Sequence, residues 1–101
     1  PYENVAARDY PAILAVTSLH DTRVLFVEPA KWVARLRATA TGDAPLLLKT
    51  EMNAGHGGVS GRYAAWRGGA WELAWVIDMA ATIRRPFTRS AMIEIPPNSR
   101  P

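Results

Sequence analysis

A chain of 101 residues without cysteine is one domain at most, and it offers neither a disulfide framework nor a thiolate metal site. Its net charge of +3 resides in residues 83–101, where Arg84, Arg85, Arg89 and Arg100 oppose only Glu94. The balanced remainder presents no basic face for nucleic acid, and no run approaches the roughly 18 apolar residues that cross a membrane.

The first predicted element is the apolar run Ala12–Thr17, preceded by Tyr10-Pro11. Its length and β-branching suit a strand buried on both faces, as in a parallel sheet. It leads into the polar loop Ser18-Leu19-His20-Asp21-Thr22-Arg23. Residues Glu28–Ala38 follow as an amphipathic helix, with Pro29 where a first turn tolerates a missing N–H. Ala30, Trp32, Val33 and Leu36 share one stripe, while Lys31, Arg35 and Arg37 lie away from it. The turn cluster Gly42-Asp43-Ala44-Pro45 closes this helix.

Leu46–Thr50 is a second buried strand, completing a βαβ unit. It enters a glycine-rich loop, Glu51 to Gly58, that contains His56. A long helix spans about Arg62 to Ala81, with Tyr63, Trp66, Ala70, Leu73, Ala74, Ile77 and Ala80 forming a wide apolar face. Gly68 and Gly69 each cost that helix about 1 kcal/mol relative to alanine. Beyond it, residues 83–101 form an Arg/Pro-rich tail expected to be flexible. Four tryptophans and 49% apolar residues exceed what so short a chain covers by itself, so other segments are expected to close these surfaces. Pro1 in place of methionine fits the same expectation of a fragment.

Two ionisable groups stand out by position. Asp21 follows the first strand and His56 the second. Adjacent parallel strands bring such loops together at the carboxyl edge of a sheet, where ligands bind. There an aspartate can orient an imidazole and stabilise its protonated form, leaving the histidine as a general base near neutral pH. Gly55, Gly57 and Gly58 are expected to permit positive φ and a close backbone approach around His56. The plainer alternatives are a turn residue for Asp21 and a loop residue for His56.

Several stretches, in order and nearly gap-free over about residues 1 to 81, carry a resemblance to a known family. They are Tyr10-Pro11-Ala12-Ile13-Leu14, Leu19-His20-Asp21-Thr22-Arg23-Val24, the helix Glu28–Arg37, Leu46–Met52, and Ala54-Gly55-His56-Gly57-Gly58-Val59-Ser60-Gly61-Arg62. The chain resembles the trypsin-like branch of the prolyl oligopeptidase family of serine peptidases. The resemblance implies an α/β fold, namely the C-terminal βαβα portion of an α/β-hydrolase catalytic domain at residues 1–82. It also implies a cofactor-free hydrolase, gated by a β-propeller, that cleaves short peptides after arginine or lysine. Asp21 then matches the triad acid and His56 the triad base, with the nucleophilic serine upstream in the order Ser, Asp, His.

The nucleophile elbow G-x-S-x-G is absent. Gly58-Val59-Ser60-Gly61-Arg62 fails at its last position and follows no predicted strand, so Ser60 is expected to serve the helix N-terminus. Glu28 and Glu51 read as helix-start and strand-end residues. An Asp–His pair without its nucleophile should hydrolyse peptides negligibly. A catalytically inactive remnant, or a module pairing its open sheet edge with another protein, is therefore the competing class. A metal site of His20, Asp21, Glu51 and His56 lacks ligand spacing, and the glycine loop misses the dinucleotide and P-loop patterns. The location expected is cytoplasmic, with the periplasm as the alternative.

Overall fold

The computed structural model describes residues 1–82, so the expected tail lies outside the described residues. The chain runs through a 3₁₀ turn (Tyr2–Asn4), β1 (Ile13–Ser18), α1 (Val27–Thr39), β2 (Leu46–Glu51) and α2 (Arg62–Thr82). The strands pair in parallel, Ile13 opposite Leu46 through Ser18 opposite Glu51. Each predicted element is present, with boundaries shifted by no more than one residue.

Helix α1 begins without a side-chain cap. Glu28 in its first turn bonds Lys31 at 2.9 Å, and Arg37 in its last turn donates Nε to the carbonyl of Leu46 at 2.7 Å. Both charges suit the helix dipole. Val33 and Leu36, the predicted stripe, are the most deeply buried side chains, at 2% and 0% exposure. Lys31 and Arg35 lie 5.4 and 4.8 Å from the Tyr2 ring, fastening the 3₁₀ turn against this helix. The helix stops at Ala40, whose backbone turns extended while its N–H still reaches the Leu36 carbonyl.

The expectation of strands buried on both faces is corrected. β2 is half-buried throughout, and in β1 only Thr17 and Ser18 are buried. The reason is the pleat: α1 covers one face, while the other carries Val16, 47% exposed, beside Lys49 and Glu51.

The apolar face predicted for α2 is not the one turned toward the sheet. Tyr63, Trp66, Leu73 and Ile77 are 62–78% exposed, whereas Gly68, Gly69, Glu72, Trp75 and Met79 form the half-buried stripe. An ion pair sets this rotation. Glu72 meets Lys49 of β2 at 2.9 Å, and residues three, four and seven away follow it around the helix. Gly68 lies directly over that lysine, where an added Cβ would sit 3.5 Å from Nζ. The glycines weaken the helix intrinsically, and Gly68 marks where it meets Lys49.

Because Leu36 is fully enclosed, Leu36→Ala should destabilise the protein that contains this chain by about 2–5 kcal/mol in urea unfolding. Ala34→Ser, on the exposed side of α1, should change stability by less than about 1 kcal/mol.

Candidate active site

The parallel ladder does not end with the strands. The amide of Leu19 donates to the Glu51 carbonyl at 2.9 Å, and the amide of His20 to the Ala54 carbonyl at 3.1 Å. These two bonds join the loop after β1 to the loop after β2, just ahead of Asp21 and His56. Gly55 fits against this seam, where an added Cβ would sit 3.5 Å from the His20 carbonyl oxygen. A hydrogen-bonded turn then carries His56, the Gly58 amide donating to the Gly55 carbonyl at 3.0 Å.

Positive φ occurs at Gly58 (78°) and Gly61 (97°), and not at Gly55 or Gly57. The expectation for those two glycines is thus corrected: the turn itself closes with negative φ, and the left-handed step comes at its exit. Gly61, rather than Ser60, stands immediately before α2, its carbonyl accepting the amide of Ala65 at 3.0 Å. The cap expected of Ser60 is corrected accordingly: a left-handed glycine leads the chain into the helix, and among the described residues the Ser60 hydroxyl makes no hydrogen bond to it.

The result is a direct contact between the two predicted residues. His56 Nδ1 lies 2.9 Å from Asp21 Oδ2. The other carboxylate oxygen, Oδ1, accepts the amides of Arg23 at 2.8 Å and Val24 at 2.9 Å. Asp21 is therefore both a turn residue and the hydrogen-bond partner of His56, through different oxygens of one side chain. Its side chain is 11% exposed, and that of His56 47%. The carboxylate is therefore largely enclosed, while the imidazole is about half exposed.

The Val24 amide, followed by the contacts with His56 and the Arg23 amide, lowers the Asp21 pKa below the ordinary 3.8, against an opposing desolvation. The carboxylate is consequently the form that the folded loop prefers. An ionised carboxylate only accepts, so in this contact Nδ1 is the N–H donor.

Sequence reasoning missed Lys49. It lies on β2 facing α2 and bridges Glu51 at 3.0 Å and Glu72 at 2.9 Å. Its pKa is raised, chiefly by the Glu72 hydrogen bond, so it remains an ammonium. The spacing of Lys49 and Glu51 along one strand face is local, but the pairing with Glu72, 23 residues later, leaves no local spacing to detect. Lys49, Glu51, Glu72, Asp21 and His56 line one open cavity of about 590 Å³. His20, Asp21, Glu51 and His56 are not assembled as ligands, and among the described residues no three His, Cys, Asp or Glu side chains are placed to hold a metal. Among the described residues, no helix is long and apolar enough to cross a membrane.

Residues 1–82 match the prolyl oligopeptidase family, and the chain belongs to it. It is 49% identical over 78 residues to Protease 2 of Moraxella lacunata, a match covering 77% of this chain and 11% of that protein. Dipeptidyl aminopeptidase BI of Pseudoxanthomonas mexicana is 47% identical over 78 residues, with the same coverage. Among solved structures, oligopeptidase B from Leishmania major aligns with a TM-score of 0.76 at 40% identity, over 77% of this chain and 11% of that one. The fold is accordingly the βαβα portion of an α/β-hydrolase. The chain spans about a tenth of the length of these relatives.

Since folding lowers the Asp21 pKa, ionisation stabilises the folded loop. That stabilisation is complete above the ordinary 3.8 and is lost as pH falls through the lower folded value. Asp21→Asn should therefore lower the urea midpoint at pH 7, and the gap from the unsubstituted protein should close as pH falls below the ordinary carboxylate value. A gap independent of pH would show that the carboxylate charge is not the stabilising feature.

Proposed function

We propose that this chain is the acid-and-base portion of a serine endopeptidase that cleaves short peptides after arginine or lysine. Asp21 serves as the triad acid and His56 as the triad base. A serine from an upstream segment of the same catalytic domain serves as nucleophile, and a β-propeller gates the site. The observation that carries the reading is the 2.9 Å contact between His56 Nδ1 and Asp21 Oδ2 at the carboxyl edge of a parallel sheet. Family membership supports it, as do relatives whose names are those of peptidases. The preference for basic residues rests on the likeness to the trypsin-like branch.

The chemistry follows from the two ring nitrogens. His56 Nε2 accepts the serine proton as the oxygen attacks the scissile carbonyl, and Asp21 stabilises the imidazolium at Nδ1. The imidazolium then returns that proton to the departing amine. An acyl-serine remains; water attacks it while passing a proton to the same nitrogen, which then returns that proton to the departing serine oxygen. Asp21 accepts two amide hydrogen bonds at one oxygen and faces the imidazole with the other. It can hold the ring without becoming protonated itself.

In the full-length peptidase, His56→Ala should cut turnover of an arginyl peptide substrate by several orders of magnitude, to a small residual rate, and should abolish covalent labelling by a fluorophosphonate. Asp21→Asn should lower kcat by on the order of 10⁴-fold, because the amide no longer fixes the productive tautomer. Near-normal rates in either variant would overturn the assignment. Labelling that appears only on proteins lacking these peptides would instead support the inactive-remnant alternative.

A further inference from the structure

The loop that carries His56 is ten residues long, from Met52 after β2 to Gly61 before α2. Its direct ties to the neighbouring loop are the His20–Ala54 backbone bond and the Asp21–His56 contact itself. The aim of the imidazole therefore depends on how firmly the two ends of the loop are held relative to each other. One end is fixed by strand pairing. The other is the start of α2, which has to be held by whatever fastens α2 to the sheet.

Among the described residues, the polar contacts of α2 with the rest of the chain converge on Lys49. Its ammonium lies 2.9 Å from Glu72 and 5.5 Å from the Trp71 ring, while also reaching Glu51 at 3.0 Å. Glu51 is the last residue of β2, immediately before the loop, and its carbonyl accepts the amide that begins the loop-to-loop seam. The lysine side chain is only 19% exposed. In that partly desolvated place an ion pair is screened less than on an open surface. A single ammonium thus links the strand end that launches the His56 loop to the helix that receives it.

We propose that Lys49 is a positioning residue for His56: its bridge from Glu51 to Glu72 fixes both ends of the histidine loop and hence the aim of Nε2. This rests on the peptidase reading above. Lys49 touches neither His56 nor a reacting atom, and it acts through the loop. Removing its charge would leave Glu51 and Glu72 facing each other without the shared cation, which would release α2 from the end of β2.

The test uses the full-length peptidase carrying these residues. Lys49→Met should lower kcat about tenfold with KM changed less than about twofold, since a misplacement of about 1 Å can cost up to 10²-fold in rate. Lys49→Arg, which keeps a cation able to reach both carboxylates, should recover most of the loss. A purely structural lysine is separated by repeating Lys49→Met in the His56→Ala background. There the residual rate should change less than about twofold, because the group being positioned is gone. Equal losses in both backgrounds, or no loss in the His56-containing enzyme, would overturn the proposal. If Lys49→Met does not yield folded protein, Glu72→Gln, at a 40%-exposed position, provides the same comparison. Failure of the peptidase reading would look different: His56→Ala would itself retain near-normal turnover.

Discussion

The geometry of the site depends on two backbone hydrogen bonds that continue the parallel ladder after both strands have ended. Leu19 to Glu51 and His20 to Ala54 hold the loops in register across a gap that the strands alone would leave open. In a parallel pair both chains leave the sheet at the same edge, so their loops are neighbours by topology. Neighbourhood alone places side chains within several ångströms of each other. The seam narrows this to hydrogen-bond contact, since Asp21 follows one bonded residue by a single step and His56 follows the other by two. Asp21 is also fixed from its own side by the amides of Arg23 and Val24. Its rotamer is therefore set before the imidazole contributes anything.

Charge organises the opposite half of the cavity. Asp21, Glu51 and Glu72 line the same space as Lys49 and His56, and at neutral pH the lysine offsets only part of the carboxylate charge. The division is spatial: Lys49 occupies the two glutamates, and Asp21 is left to the imidazole. Were Lys49 neutral, the glutamates would add a diffuse negative field that belongs to no particular ring orientation. A directional hydrogen bond accepted by Asp21 can orient the imidazole, whereas a diffuse field favours no particular ring orientation.

Much of this was legible from residue order. Short β-branched and leucine runs separated by a helix of suitable length specify a parallel pair, and the parallel pair brings Asp21 and His56 to one edge. Two features were not legible, for a common reason. The rotation of α2 was read from hydrophobic periodicity, which assumes that a helix turns its most apolar face inward. Here Glu72 is drawn inward by Lys49, and Tyr63, Trp66, Leu73 and Ile77 turn outward. The pairing of a strand lysine with a helix glutamate 23 residues later leaves no periodic trace. The glycines carried a partial signal: Gly68 sits where the helix passes Lys49, although Gly69 faces open space.

The outward apolar face of α2 bears on how the site would be completed. Trp66, Leu73, Val76 and Ile77 are each more than half exposed, a concentration that a soluble surface rarely carries without a covering element. The Asp21–His56 contact needs none of that cover. The hydrogen bonds described for it arise within residues 18–58, on the strand-pairing side of the cavity. Under the proposed peptidase reading, the base is therefore assembled by local backbone geometry, while the position of the nucleophile depends on tertiary packing against surfaces left bare here. Loosening that packing would separate serine from histidine before it disturbed histidine from aspartate. Lys49 stands at the boundary between these two regimes, since it binds the locally determined strand end to the helix whose outer face awaits cover.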